Sequence, residues 1–98
     1  MPAYLLAQIR ILHPEPWAAY RAAVVPLAQR FGGRQLVRGA PNITVLEGAH
    51  DGRSLVVIEF PSMQAIEEFW TSPEYVELKN MRQGAAELDV WAVPGIED

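Results

Sequence analysis

Gly32-Gly33-Arg34-Gln35-Leu36-Val37-Arg38-Gly39, then Leu46-Glu47-Gly48, then Val56-Val57-Ile58-Glu59-Phe60-Pro61, is the stretch whose reading decides the fold. Two short apolar runs rich in β-branched residues are bounded by glycine and proline, the pattern of strands between turns. They carry Arg38, Glu47 and Glu59, groups that a purely structural sheet does not need. A buried charge has to be paired or put to use. The same stretch therefore marks where binding or chemistry is expected.

Upstream, residues 3–12 alternate: Leu5, Ala7, Ile9 and Ile11 take one face of a strand, Tyr4, Leu6, Gln8 and Arg10 the other. The second face is half apolar, which points to a sheet covered on both sides. Pro14 and Pro16 open a helix, where a missing N–H costs little. Trp17, Tyr20, Val24, Leu27 and Phe31 continue it as one stripe at steps of three and four. Pro26 removes a helix hydrogen bond and is expected to kink or split this helix near Ala22–Val25. Gly32-Gly33 stops it.

Arg34 to Arg38 is the second strand, broken by Gly39-Ala40-Pro41-Asn42, with extended structure resuming over Ile43 to Leu46. His50-Asp51-Gly52 is a turn. Ser54 to Phe60, the most apolar run, is a central strand. Ser62 caps a helix with a stripe of Met63, Ile66, Phe69 and Trp70. Ser72-Pro73-Glu74 is a second helix start, and that helix runs to about Gln83 before Gly84. Leu88 to Val93 is the last strand, and Gly95 to Asp98 a short polar tail. The order β-α-β-β-α-β is the ferredoxin-like α+β arrangement, an antiparallel sheet with its helices on one face. The opposite face keeps apolar residues that need a cover, and a second copy packing sheet to sheet would provide it.

The chain has 98 residues, enough for a single domain spanning 1–98, and half of them are hydrophobic. It has no cysteine and only His13 and His50, so neither a disulfide nor a metal cluster is expected. The net charge of −4 argues against nucleic acid as a partner. No apolar run approaches the ~20 residues of a membrane span. Met1-Pro2-Ala3-Tyr4 lacks a basic region followed by an apolar one, so no signal peptide is expected and a cytoplasmic location is the default.

Arg38 and Glu59 are the first candidates for chemistry. On adjacent antiparallel strands they could face each other across the sheet, while the interruption near Pro41 leaves open, by a one-residue shift of register, which face each takes. Arg38 would hold a carboxylate or enolate oxygen with its fork, and Glu59 would move a proton if burial raised its pKa. The competing reading pairs the two residues with each other or with a partner subunit, and leaves them a role in sheet register or dimer geometry. Glu47 ends a strand, either at a pocket mouth or in a surface pair with Arg53. Trp17, Tyr20, Trp70 and Tyr75 fall at core spacings, yet tyrosine and tryptophan keep a polar end suited to a small-molecule cavity. Ser72 reads as a cap beside that set, and Arg82, at a helix C-terminus, either serves the helix dipole or reaches into a pocket.

Phe31-Gly32-Gly33-Arg34-x-Leu36-Val37-Arg38-Gly39, Leu46-Glu47-Gly48, Val57-Ile58-Glu59-Phe60-Pro61-Ser62, Ser72-Pro73-Glu74-Tyr75 and the later Arg82 together resemble the DUF1330 family of the dimeric α/β-barrel superfamily. The resemblance runs from about Tyr4 to Gly95. It implies a homodimer whose two sheets form a barrel, with a small-molecule ligand held between sheet and helices. Structural relatives of that family include cofactor-free monooxygenases, muconolactone-type isomerases and haem proteins. Neither histidine sits on a pocket-lining element, so haem is not expected and the cofactor expectation is none. Two departures stand out: Ala40 where the family often has a second glycine, and His13-Pro14-Glu15-Pro16-Trp17 where it usually reads Asp-Pro-x-x-aromatic. The leading expectation is a homodimeric small-molecule-binding protein, plausibly a cofactor-independent isomerase or cyclase moving a proton next to a carbonyl. Arg38, Glu59 and Glu47 would be catalytic, and Tyr20, Trp70, Ser72, Tyr75 and Arg82 would bind substrate. A non-catalytic ligand-binding or assembly module and a cofactor-free monooxygenase are the alternatives.

Overall fold

In the computed structural model the chain runs β1 (Ala3–Ile11), α1 (Pro14–Arg30), β2 (Arg34–Ala40), β3 (Ser54–Phe60), α2 (Met63–Thr71), α3 (Pro73–Met81) and β4 (Ala86–Pro94). The structure describes residues 1–40 and 42–96. The expected break at Pro41 and the tail residues Glu97 and Asp98 lie outside the described residues. The strands form one antiparallel sheet in the order β2-β3-β1-β4. This is the ferredoxin-like arrangement, with β1 and β3 central. The second helical region is divided where the sequence placed a second start.

Ser72 makes that division. Its Oγ donates to the Phe69 carbonyl (2.8 Å) and accepts from the Tyr75 N–H (3.2 Å), so one side chain closes α2 and opens α3. Pro73 follows at the first helical position, where it has no N–H bond to lose. At the other break, Gly32 has φ +89°, the left-handed turn that ends α1. Gly33 follows with its N–H on the Ala28 carbonyl (2.9 Å).

Alternation sorts the sheet into two faces. Ala3, Leu5, Ala7 and Ile9 of β1 are buried beneath the helices with Ile58 and Phe60 of β3. Phe69 of α2 packs on Phe60 (ring centroids 5.6 Å apart) and on Tyr75 (4.8 Å), tying both short helices to the sheet. On the other face the register sets one apolar residue from each strand side by side, Val37–Val57–Leu6–Trp91. Trp91 is 47% exposed there. A surface row of this kind is the uncovered side anticipated from the half-apolar β1.

Two expectations are corrected. Pro26 does not split α1, which is continuous over 17 residues. Ala22 and Pro26 are both exposed, so the carbonyl that proline leaves without a donor lies on the solvent side of the helix. Ile43–Leu46 forms no strand; the described residues 42–53 are loop, and Leu46 is 93% exposed. Both edges of β3 are taken, by β1 and by β2, and the segment does not add to the free outer edge of β2.

Candidate functional site

Arg38 and Glu59 do not face each other. β2 carries irregularities between Gln35 and Val37 and between Arg38 and Ala40, so its pairing with β3 runs Arg34↔Glu59, Gln35↔Ile58, Val37↔Val57, Arg38↔Val56. Strict alternation would put Arg34 and Arg38, four apart, on one face. The extra residue at Leu36 turns Val37 and Arg38 over. Arg34 stays on the open face and takes Glu59 as an ion-pair partner at 3.1 Å. Arg38 falls in the row Arg38–Val56–Ala7–Val90, which faces the helices.

Beneath α1 this row helps line a cavity of about 100 Å³. Ala7, Ile9, Val56 and Ile58 form its sheet wall, Val24 and Val25 its α1 wall, and Phe69, Trp70 and Tyr75 close it from α2 and α3. The cavity is largely apolar, with Gln35 and Ser54 in its sheet wall and its other polar groups gathered at two places. At the β2 edge, Arg21 and Arg38 stand at the rim, where the Arg21 guanidinium donates to the Arg38 carbonyl (3.1 Å). Inside, the Tyr20 and Tyr75 hydroxyls share a hydrogen bond at 3.0 Å, and the two residues are only 6% and 3% exposed. Behind them Arg82 reaches the Tyr75 hydroxyl at a long 3.5 Å and lies 5.9 Å from the centre of the Tyr20 ring.

Helical spacing explains this inner cluster. Trp17 and Tyr20 are three apart on the buried stripe of α1, with ring centroids 5.0 Å apart. Tyr75 is fixed by the Ser72 cap, because its own N–H is the one capped. Trp70 stacks against Tyr75 at 4.9 Å and carries Lys79 over its ring at 5.0 Å. Burial pushes the Tyr20 phenol far above the ordinary tyrosine range; neighbouring Tyr75 adds to the rise and Arg82 opposes it. Tyr20 is therefore a proton-bearing donor at any physiological pH, and not a phenolate base.

Of the residues singled out from sequence, the structure brings Tyr20, Trp70, Tyr75 and Arg38 to the cavity, with Arg82 behind the tyrosine pair. Ser72 spends both sides of its hydroxyl on the two helix caps. Glu59 lies on the open face with Arg34. Glu47 is exposed in the 42–53 loop, and Arg53 pairs with Asp51 and Asp89 in place of it. The Arg53 N–H beside Asp51 holds that carboxyl below the usual aspartate range. No aspartate, glutamate or histidine lines the cavity, and no group of three or more metal-ligating side chains occurs among the described residues. Arg21 went unnoticed in the sequence. Its only signal was its place beside Tyr20, on the flank of the apolar stripe.

Residues 2–96 match the family described as Domain of unknown function (DUF1330). The chain belongs to this family. Among solved structures, this DUF1330 chain is similar to a protein of unknown function from Rhodopseudomonas palustris, at 25% identity and a TM-score of 0.71, covering 99% of this chain and 84% of that one. It is also similar to a dimeric ferredoxin-like protein of unknown function from a Jannaschia species, at 14% identity and a TM-score of 0.73, covering 97% and 100%. A third likeness is to SnoaB, a cofactor-independent oxygenase from Streptomyces nogalater, at 11% identity and a TM-score of 0.64, covering 99% and 95%. At these lower identities the likeness is one of fold. No curated protein matches the sequence. No helix among the described residues is long and apolar enough to cross a membrane.

Proposed function

We propose that the protein is a homodimer that holds a small, largely apolar, oxygen-bearing molecule in the cavity beneath α1 and polarises that oxygen without a cofactor. The observation that carries this reading is the buried Tyr20–Tyr75 hydroxyl pair, set into a largely apolar wall. A carbonyl oxygen entering the cavity would take a hydrogen bond from a phenol that burial keeps protonated. Fixed donors aimed at an oxygen stabilise the negative charge that develops there when a neighbouring C–H ionises. Arg82, in reach of Tyr75, adds positive charge behind the pair. That chemistry fits an isomerase or cyclase acting next to a carbonyl.

The proton acceptor is the part the cavity does not contain. Glu59 and Glu47, the residues expected to fill that role, lie elsewhere. A reaction in this cavity therefore draws its base from the substrate itself or from water, and the protein's share is to hold and polarise. The exposed row Val37–Val57–Leu6–Trp91 supports the dimer, as does the dimeric state of the Jannaschia relative.

Solvent deuterium exchange into the α-carbon of small ketones and keto acids, followed by NMR, tests the reading. Exchange above the buffer rate, lost in Tyr20→Phe, is the expected result. Binding without exchange in any ketone would leave the non-catalytic ligand-binding reading, which the carboxylate-free lining favours. The fold likeness to SnoaB makes cofactor-free oxygenation the other enzymatic alternative, and oxygen uptake with an electron-rich aromatic substrate would select it.

A further inference from the structure

The arginines of this chain are sorted by place. Arg10, Arg30, Arg34 and Arg53 each have a carboxylate within 4.0 Å: Glu87, Glu74, Glu59, and Asp51 with Asp89. All four lie outside the cavity. Among the described residues Arg21, Arg38 and Arg82 are the arginines with no carboxylate partner, and these three surround the cavity, two at its rim and one behind its tyrosines; Lys79, also without one, lies over the Trp70 ring. Acids outnumber bases twelve to eight in the sequence, so a guanidinium left without a carboxylate runs against the composition. Arg82 Nε is moreover buried with no hydrogen-bond partner, an unspent donor next to the hydroxyl pair. Two forks at the mouth of a low-dielectric cavity concentrate the field there, and a guanidinium fork matches a carboxylate in shape as well as charge.

We infer that the ligand of the cavity is an anion: a compact carboxylate with an apolar body, its charged end held by Arg21 and Arg38 at the β2 edge and its body against Val24, Val56 and Phe69. This rests on the reading that the cavity binds a small molecule. The carboxylate stays at the rim, where water still reaches it, and avoids the cost of burying a charge. The apolar end displaces water from the interior. A second oxygen on the body would meet Tyr20 and Tyr75. The protein as a whole is acidic, so this rim is what admits an anion at all.

The test compares matched probes: benzoate with benzamide, and cyclohexanecarboxylate with cyclohexanecarboxamide. Each is titrated against the full chain by isothermal calorimetry and by amide NMR, at low and at physiological salt. Each carboxylate is expected to bind at least about tenfold tighter than its amide, as the charge-assisted fork predicts. That preference should shrink at higher salt and vanish in the double variant Arg21→Gln/Arg38→Gln. Arg30→Gln, on α1 but paired with Glu74 away from the cavity, should keep it. Both rim arginines are exposed, so these variants should fold, and circular dichroism checks that they do. Equal affinity for acid and amide would overturn the inference and leave the cavity reading intact. So would a carboxylate preference that survives in the double variant. No cavity shifts with any of the four probes would overturn both.

Discussion

The Tyr20–Tyr75 pair is where the structure makes its sharpest energetic claim. The hydroxyls are 3.0 Å apart and both residues are buried. In Tyr20→Phe, Tyr75 loses that partner and keeps only the long contact with Arg82. A net hydrogen bond contributes about 1 kcal/mol, and a buried hydroxyl left without a good partner costs about 1–3 kcal/mol. The single variant is therefore expected to lose about 1–2 kcal/mol, which for a domain of this size lowers Tm by roughly 4–8 °C per kcal/mol. Tyr75→Phe strands the Tyr20 hydroxyl and also removes the Arg82 contact, so its loss is expected to be larger. The double variant strands neither hydroxyl. It should fall short of the sum of the singles by about 1 kcal/mol or more.

The same pair sets a pH dependence whose sign follows from its burial. The folded pKa of Tyr20 is raised above its unfolded value. Below about pH 10, the ordinary tyrosine pKa, both states hold the proton and the pair contributes in full. Above it the unfolded chain ionises while folded Tyr20 does not, and stability falls with a slope approaching about 1.4 kcal/mol per pH unit for this one group. Urea melts of wild type and Tyr20→Phe from neutral pH to above pH 10, at fixed protein concentration, read both quantities. Additive single losses, or an alkaline slope unchanged in Tyr20→Phe, would refute the claim that the two hydroxyls form one buried unit.

Three other perturbations test the scaffold around the cavity. Ser72→Ala removes both cap bonds at the α2–α3 junction and should cost about 1–2 kcal/mol in chemical denaturation, with NMR shifts concentrated at Phe69 and Tyr75. Gly33→Ala would set a Cβ 2.9 Å from the Ala28 carbonyl and 3.0 Å from the Phe60 ring, so a loss of about 1–3 kcal/mol by overpacking is expected; an unchanged Tm would mean that this turn gives way freely. Trp91→Asp places a charge in the open-face row beside Leu6 and should convert the proposed dimer to monomer by light scattering, while an intact dimer would move the interface elsewhere.

What the sequence makes legible here is whatever is written in spacing and punctuation. Gly32-Gly33, Ser62 and Ser72-Pro73 mark helix ends by backbone chemistry that acts within a few residues, and alternation in β1 shows which face is buried. Pro26 misleads because its local cost is real, but both it and Ala22 face solvent, and packing of Trp17, Tyr20 and Leu27 holds α1 in one piece. Ile43–Leu46 misleads because strand propensity says nothing about whether a partner edge is free.

The candidate site depends on a subtler fact. Arg34 and Arg38 have the same parity, and nothing in Gln35-Leu36-Val37 announces that one residue will be left unpaired. Leucine marks no bulge in the way glycine does. Yet that one residue decides the electrostatics of both faces of the sheet. It gives Glu59 an arginine on the open face and leaves the other arginine, without a carboxylate, at the cavity mouth. Had β2 run without the bulge, Arg38 would have joined Arg34 on the open face and the cavity would have kept only Arg21 at its rim. The carboxylate inferred for the cavity's ligand follows from that single extra residue, and deletion of Leu36 tests the register directly. Deletion leaves Arg34-Gln35-Val37-Arg38, which pairs with β3 in the same register without a bulge, so Arg38 should stay at the cavity mouth and carboxylate preference should persist; its loss would refute the reading that Leu36 is the unpaired residue.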